Sequence, residues 1–415
     1  MERVSNWAGN ITYAAQRIVR PRSIEEAQEL VASNEKIRAL GTRHSFTLVA
    51  DSSATLLSTE HLNGIVEIGD GTVTVEAGIR YGELGSALHA RGLAVQNFAS
   101  LPHISVGGAI ATSTHGSGAR NQSLAAGVSA LELVGADGSV TSWRRGEAGF
   151  QGAVVSLGAL GLVTRVSLDV VPAFDLRQYV FEQLPWASVE TDLDTILAAG
   201  YSVSLFTLWD EPAVGTAWVK TADELPPGMP FFGARPASAP LNPVPDSDWE
   251  NATEQLGMPG PSHDRLPHFR LGFTPSSGAE LQTEFLLPRE HGAAAVAELR
   301  ALAASIAPLL LVSEIRSIAS DALWLSPFYE RDSVAFHFTW KPLPAEVLAL
   351  LPRIESALAP FGARPHWGKL FLTPAAYPRH ADFIRLAEQL DPGAKFRNDF
   401  VERHLFDLSR EASAS

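Results

Sequence analysis

The most informative segment of the chain covers residues 103–118 and reads His103-Ile104-Ser105-Val106-Gly107-Gly108-Ala109-Ile110-Ala111-Thr112-Ser113-Thr114-His115-Gly116-Ser117-Gly118. Nearly all of its residues are small, and hydroxyl groups occur at positions 105, 112, 113, 114 and 117. A backbone that lacks large side chains lets a large ligand approach closely. Taken by itself, the segment is explained equally well by a tight structural turn and by a ligand site.

A second glycine-containing segment lies upstream and reads Leu40-Gly41-Thr42-Arg43-His44-Ser45. It follows a predicted strand over Ile37 to Leu40, so its amides can converge on an anion as they do in a loop nest. A cation and two hydroxyls lie beside those amides. Two such segments in one chain favour a bound dinucleotide over two unrelated turns.

The elements around these segments predict the fold of the first half. Ser23, with Glu three residues later and apolar residues at helical spacing, predicts a capped helix start. Asp-Gly turns predict two hairpins, and a helix and a final strand complete the half. The predicted ranges are 65–68 with 72–77 and 131–134 with 139–143 for the hairpins, 81–90 for the helix and 163–171 for the strand. Hairpins separated by single helices indicate an α+β fold.

The second half differs from the first in composition and in its predicted elements, and Pro172 marks the boundary between them. Seven prolines between Leu225 and Asp246 predict a long surface loop, which we interpret as a plain insertion. Beyond it, extended stretches and Ala/Leu-rich helices predict an antiparallel sheet backed by helices. The ranges are Phe269 to Phe273, Leu281 to Leu287 and Ser333 to Trp340 for the strands and Ala293 to Ile306 for a helix. The turn-rich tail from Asp391 to Asn398 suits a chain that returns to the first domain.

Composition excludes several classes of protein. The chain has 415 residues, a formal charge of −14 and no cysteine. The negative charge disfavours nucleic acid and anionic membranes as partners, and the absence of thiols excludes disulfides, iron-sulfur clusters and cysteinyl links to a cofactor. The N-terminus does not resemble a signal peptide and no apolar run reaches 18 residues, so we expect a cytoplasmic protein.

Common catalytic and cofactor motifs are missing from the sequence. It contains no GxGxxG after an N-terminal strand, no Walker A motif, no HExxH, no EF-hand loop and no GxSxG elbow. Nicotinamide binding in a Rossmann fold, nucleotide hydrolysis, zinc hydrolysis and serine hydrolysis are therefore disfavoured. We expect no metal site.

Two alternating stretches carry polar pairs that predict a pocket wall. Glu314 and Arg316 stand two residues apart in an extended context, so they point to one face of a strand. His337 and Thr339 are spaced in the same way, with aromatic neighbours on the opposite face. Taken singly, these residues have ordinary structural explanations: Glu314 with Arg316 is explained by a buried ion pair and His337 by a core histidine. A further candidate, Lys369, is explained by a solvated surface lysine.

The two glycine-containing segments resemble the FAD domain of vanillyl-alcohol-oxidase-type flavoproteins. Further motifs along the chain resemble the alditol oxidase (xylitol or sorbitol oxidase) branch of that family: residues 6–10, 101–108, 156–161, 266–270, 273–280, 337–340 and 364–369. The resemblance implies an α+β fold of two domains, with residues 1–172 and 376–415 forming the FAD-binding domain and residues 173–375 forming a substrate-binding cap.

For the cofactor, the resemblance implies FAD attached covalently through an imidazole nitrogen of His44. Arg43 departs from the family pattern, in which glycine is usual; a positive φ at this position costs an arginine about 1 to 2 kcal/mol. The other implied cofactor contacts are Ala39, Leu40, Gly41, Thr42, Arg43, Ser45, Ser105, Ile110, Ser113, Gly116, Ser117, Gly118, Ala119 and Val163.

For the substrate, the resemblance implies a linear polyol bound by Ser105, Glu314, Arg316, Thr339 and Lys369, with His337 nearby. The terminal hydroxyl of xylitol or sorbitol would be oxidised to the aldehyde, and O2 reduced to H2O2. Arg316 and Lys369 would stabilise the developing alkoxide, Glu314 would hold Arg316, and either Lys369 or His337 would take the proton. The alternatives are an aldonolactone oxidase or dehydrogenase of the same family and a catalytically idle flavin- or sugar-binding protein. We expect a monomer.

Overall fold

The computed structural model describes residues 4–272 and 279–407. The strands are β1 (Arg17–Val19), β2 (Ile37–Leu40), β3 (Thr55–Ser58), β4 (Ile65–Ile68), β5 (Thr72–Glu76), β6 (Leu93–Ala94), β7 (Val128–Val134), β8 (Val140–Arg144), β9 (Leu162–Asp169), β10 (Val171–Pro172), β11 (Asp175–Pro185), β12 (Ser202–Thr207), β13 (Ala213–Thr221), β14 (Arg235–Pro236), β15 (Gly260–Pro261), β16 (Leu281–Pro288), β17 (Leu310–Ile318), β18 (Ser333–Trp340) and β19 (Arg364–Pro365). The α-helices are α1 (Ile24–Ser33), α2 (Tyr81–His89), α3 (Val106–Ala111), α4 (Phe150–Val154), α5 (Trp186–Ala198), α6 (Ser262–Arg265), α7 (Gly292–Ala301), α8 (Ala303–Ile306), α9 (Pro344–Leu358), α10 (His380–Leu390) and α11 (Asp399–Val401).

The first half contains two main sheets. Strands β1, β3 and β2 pair in parallel, and β4-β5-β9-β7-β8 form an antiparallel sheet. Helix α1 begins as its sequence predicts, because the Ser23 hydroxyl accepts a hydrogen bond from the Glu26 amide. Both predicted hairpins are present, whereas the parallel strands β1 and β3 were not predicted.

The second half is built on a nine-stranded sheet ordered β14-β11-β13-β12-β17-β18-β16-β19, with β15 paired to β11. Helices α5, α7 and α9 pack on one face, against aromatic side chains such as Phe336, Phe338 and Trp340. Because side chains alternate along each strand, polar residues of β16, β17 and β18 lie on the opposite face. That face borders the cavity described below.

The C-terminal tail packs against the first sixty residues. Phe396 is buried among apolar side chains of α1, β2 and β3. Nζ of Lys395 donates hydrogen bonds to the carbonyls of Val31, at 2.8 Å, and Ala136, at 2.5 Å. The Asn398 side chain donates to the Leu48 carbonyl at 2.9 Å. The end of the chain is therefore part of the packing of its beginning.

Two predicted elements differ from the structure. Phe269 forms only an isolated bridge with Ala252, and a turn follows at Leu271, so the predicted strand is wrong there; Phe273 lies outside the described residues. The predicted helix over 293–306 breaks at Leu302, whose amide donates to the carbonyl three residues back instead of four.

The break at Leu302 limits the length of the apolar helix in this region. Within residues 4–272 and 279–407, no single helix is long and apolar enough to cross a membrane. The helical segments Arg289–Ala301 and Ala303–Leu309 reach the required length and hydropathy only when they are counted together, and they meet at an angle of 62°.

Candidate active site

A cavity of about 620 Å³ separates the glycine-containing loops of the first half from the polar face of the nine-stranded sheet. Residues 38–46 and much of 104–115 line one side, and polar side chains of β16, β17 and β18 line the other. The two sets of residues that the sequence singled out therefore border one space.

His44 lies where the two loops meet. Its Nδ1 is 3.1 Å from the Thr42 hydroxyl, and its ring stacks on Trp7 with 5.4 Å between centroids. The same Thr42 oxygen accepts a hydrogen bond from the Ser105 amide at 3.1 Å, which ties the loops together. Burial, followed by the charges of nearby His103 and Arg80, lowers the pKa of His44 to about 4. The imidazole is therefore neutral at physiological pH.

The loops have the features of a cofactor cradle. A Cβ on Gly41 would lie 2.6 Å from Oγ of Ser105, so this close approach requires glycine. Oγ of Ser105 is buried and has no hydrogen-bond partner among the described residues. Arg43 has a φ of 64°, the left-handed conformation in which an arginine is strained. The residues present thus fit a large polar ligand such as FAD.

The structure divides the predicted cofactor contacts into two groups. Those that line the cavity are Ala39, Leu40, Gly41, Thr42, Arg43, His44, Ser45, Ser105 and Val163. Those that do not line it are Ile110, Ser113, Gly116, Ser117, Gly118 and Ala119. Ile110 belongs to the apolar core, and the Ser117 hydroxyl lies 2.8 Å from that of Ser204. The end of the glycine-rich segment thus packs against the nine-stranded sheet instead of lining the cavity.

Strand register brings the acidic residues of the sheet together. Glu284 on β16 and Glu314 on β17 both lie opposite His337, on the strand between them. Arg316 Nη2 lies 2.8 Å from Glu284 Oε1, and its Nη1 lies 3.5 Å from Glu314 Oε2. Nζ of Lys369 lies 2.7 Å from Glu284 Oε2. The sequence paired Arg316 with Glu314 alone; in the structure Glu284 is the closer partner.

The charges of this cluster balance. Burial alone would raise the pKa of the Glu284 carboxyl, but the Lys369 and Arg316 charges outweigh it and hold that pKa well below its usual value. Burial lowers the pKa of Lys369 against the opposing effect of Glu284. Two carboxylates face two cations, so the wall is near-neutral and rich in hydrogen-bonding groups.

His337 and Thr339 lie on the cavity side of β18, as their alternation predicts. Nδ1 of His337 is 3.8 Å from Glu314 Oε2, and its Nε2 has no hydrogen-bond partner within the described residues. Burial, followed by the Lys369 charge, moves the pKa of His337 well below its usual value. The imidazole is therefore neutral at physiological pH.

Sequence reasoning missed Glu284, the centre of the cluster. Its signal is a lone acidic residue inside an apolar strand. His115 and His366 were quoted in motifs without a role, yet together with Glu284 they present ligand atoms within 4.8 Å of one another. That spacing could hold a metal ion, but Arg316 and Lys369 already pair with the Glu284 oxygens and would repel a further cation.

The proline-rich segment also takes part in the cavity, which corrects its interpretation as a plain insertion. Asn242, Pro243 and Val244 line the cavity. The side chain of Val244 packs near Phe206 and Val312 on the sheet. Prolines keep this segment irregular, but its apolar residues hold it against the sheet beside the cavity.

Comparisons with known proteins agree with this geometry. A family profile described as an FAD binding domain matches residues 15–143, and one described as D-arabinono-1,4-lactone oxidase matches residues 279–404. The structure of cholesterol oxidase from B. sterolicum has a TM-score of 0.77 at 16% identity, covering 97% of this chain and 96% of that one. At this identity the likeness shows the fold alone, and it confirms the predicted α+β architecture with an FAD domain and a second domain.

Two curated relatives match nearly the whole chain. L-gulono-1,4-lactone dehydrogenase from Mycobacterium tuberculosis is 30% identical over 97% of this chain and 98% of its own length. Alditol oxidase from Streptomyces sp. is 49% identical over 97% of this chain and 99% of its own length. With that identity over both full lengths, the chain belongs to the alditol oxidase family of FAD-binding flavoproteins.

Proposed function

We propose that the protein is an FAD-dependent alditol oxidase that converts the terminal CH2OH of a linear polyol, such as xylitol or sorbitol, to the aldehyde of an aldose. One observation carries this proposal. The cavity that begins at the glycine-containing loops ends at a charge-balanced wall of Glu284, Glu314, Arg316 and Lys369. A neutral substrate with many hydroxyls fits such a wall, because it can donate to carboxylates and accept from cations.

FAD, when bound, supplies the redox chemistry by taking hydride from the alcohol carbon and passing the electrons to O2, which gives H2O2. The side chains of the protein orient the substrate, stabilise the developing charge and accept the proton. Ser105 and Thr339 orient the substrate hydroxyls, and Glu314 accepts a hydrogen bond from one of them. Arg316 and Lys369 stabilise the negative charge that develops on the reacting oxygen. The hydroxyl proton passes to His337, or to Lys369 when that amine is in its neutral form.

We also propose that His44 holds FAD covalently. It lies at the junction of both loops and lines the cavity. Its neutral ring has a nitrogen lone pair that would form the bond to the flavin methyl carbon. That carbon and the imidazole would each lose a proton, and the two electrons released would pass through the flavin to O2. The loops 39–45 and Ser105 would contact the rest of the cofactor.

A second candidate is oxidation of an aldonolactone, which the names of one family profile and of the Mycobacterium relative suggest. Peroxide release by the purified flavoprotein with xylitol, sorbitol and a gulonolactone separates the candidates. Release with the polyols supports the proposal. Release with the lactone alone, or flavin reduction by the lactone without peroxide, supports the second candidate. Neither flavin reduction nor peroxide with any of the three supports an idle flavin-binding protein. A monomeric, cytoplasmic protein stays a prediction.

A further inference from the structure

A buried lysine lies near Glu314, on the same face of the nine-stranded sheet. Lys220 is on β13 and is 1% exposed. Its Nζ donates to the carbonyls of Leu266, at 2.5 Å, and Pro267, at 3.1 Å, and lies 3.2 Å from Nδ1 of His268. The ammonium thus has three acceptors for its three protons, and no ion pair with a carboxylate is seen in the described part of the chain.

His268 connects this lysine to the site. Its side chain is 4% exposed, and its Nε2 lies 3.0 Å from Glu314 Oε1. Burial, followed by the Lys220 charge, lowers the pKa of His268 to about 4, so the ring is neutral and carries one proton. Which nitrogen carries that proton follows from the neighbours on each side.

Two arrangements of protons are conceivable, and the geometry selects one. A neutral Lys220 would donate both protons to the carbonyls and turn its lone pair to Nδ1 of His268. Nδ1 would then need the proton, and the bare Nε2 would face the carboxylate of Glu314, which repels it. A charged Lys220 instead donates to Nδ1, and Nε2–H donates to Glu314. Burial lowers the pKa of Lys220 to about 7, against the opposing effect of the Glu314 charge.

We propose that Lys220 and His268 are positioning residues for Glu314. Lys220 fixes His268 as the Nε2–H tautomer, and His268 holds Oε1 of Glu314. Oε2 is thereby left to face Arg316, His337 and the substrate. This inference rests on the proposed function, in which Glu314 must be ionised to accept a substrate hydroxyl.

The inference predicts a change in pH dependence. The charged and titratable groups around Glu314 are Arg316 on the same strand, His337 on β18, Glu284 on β16, Lys369 after β19, and His268 with its partner Lys220. Burial raises the pKa of the Glu314 carboxyl, but the Arg316 charge and the His268 hydrogen bond keep it well below its usual value. Loss of that bond raises the pKa, so Glu314 becomes protonated at a higher pH and the acid limb of kcat/KM moves upward.

The test compares four variants of the flavoprotein with xylitol as substrate. His268→Leu removes the donor to Glu314, whereas His268→Gln keeps an N–H near the position of Nε2. Lys220→Met keeps the stem and deletes the charge. Lys395→Met is the matched control, since Lys395 also donates to backbone carbonyls but lies in the C-terminal tail.

We expect kcat/KM to fall about 10- to 100-fold in His268→Leu and Lys220→Met, as for the loss of a hydrogen bond to a charged group. The acid limb should move up by about one pH unit. His268→Gln should stay within about threefold of wild type, and Lys395→Met should lose thermal stability with unchanged kinetics.

If Lys220→Met has the same kinetics and the same pH profile as Lys395→Met, the inference is wrong, and the proposed function is unaffected. If Lys220→Met yields no flavoprotein, equal profiles for His268→Gln and His268→Leu overturn it instead. A wild-type flavoprotein that oxidises no polyol contradicts the proposed function, and the inference with it.

Discussion

Nζ of Lys369 lies 2.7 Å from Oε2 of Glu284, a carboxylate whose side chain has no exposed surface. Lys369 itself is only 14% exposed, which excludes the solvated surface lysine that its sequence context also allowed. The pair places one end of a buried charge network at the cavity.

Lys369→Met should slow oxidation of xylitol far more than it weakens xylitol binding. The ammonium acts mainly on charge that appears as hydride leaves, so its loss affects the transition state more than the ground state. Removal of one preorganised donor typically costs on the order of 10² to 10³ in rate. Anaerobic stopped-flow measurement of flavin reduction tests this. A rate within about threefold of wild type would contradict the role of Lys369, provided that the flavin content is unchanged.

Glu284→Gln should destabilise the fold, because Arg316 and Lys369 would be left without their shared carboxylate. Breaking a buried ion pair in this way costs about 3 to 5 kcal/mol. The double variant Glu284→Gln/Lys369→Met should be less unstable than the sum of the two single variants, since it also removes one unpaired cation. Denaturant unfolding of the wild type and the three variants measures this. Strict additivity would mean that the pair does not interact.

His44→Ala should release its flavin when the protein is denatured with acid, while the wild-type pellet should stay yellow. The test is the flavin absorbance of pellet and supernatant after precipitation. His103→Ala is the matched control, because His103 lies near the same loop and its Nε2 contacts the Leu271 carbonyl. Flavin in the wild-type supernatant would show that His44 forms no covalent bond.

Asp321 should make stability depend on pH near 6. It accepts hydrogen bonds from the Ser123 and Ser326 hydroxyls, and burial raises its pKa to about 6. A raised pKa stabilises the fold while the group is protonated, and this contribution is lost as the pH rises from about 4 through 6.

Asp321→Asn cannot ionise, so its unfolding free energy relative to wild type should rise by about 2 to 3 kcal/mol between pH 4 and pH 8. Chemical unfolding at several pH values measures the difference. Asp332→Asn serves as a control, because that side chain is about half exposed. A pH-independent difference for Asp321→Asn would show that this carboxyl has an ordinary pKa.

Local patterns predicted the elements whose signals lie within a few residues. The Ser23 cap, both Asp-Gly hairpins and the alternation of His337 with Phe336 and Phe338 all appear in the structure. The same alternation placed Glu314 and Arg316 on one face, which was enough to find half of the polar wall.

The other half depends on pairing between distant strands, which a sequence pattern does not report. Glu284 joins the wall only because β16 pairs with β18 in a register that sets it opposite His337. Lys220 and His268 are 48 positions apart, and nothing local links them. The proline-rich segment was misinterpreted for the same reason: its contacts with Phe206 and Val312 are tertiary.

The docking of the C-terminal tail has a consequence for biosynthesis. The apolar cluster of α1, β2 and β3 is completed by Phe396, which leaves the ribosome more than three hundred residues after Leu57. Until then, the nascent N-terminal region has an open apolar edge and long loops to close. Folding of the flavin-binding half is therefore completed only after Phe396 has been made, and the loop carrying His44 gains its final support at that point.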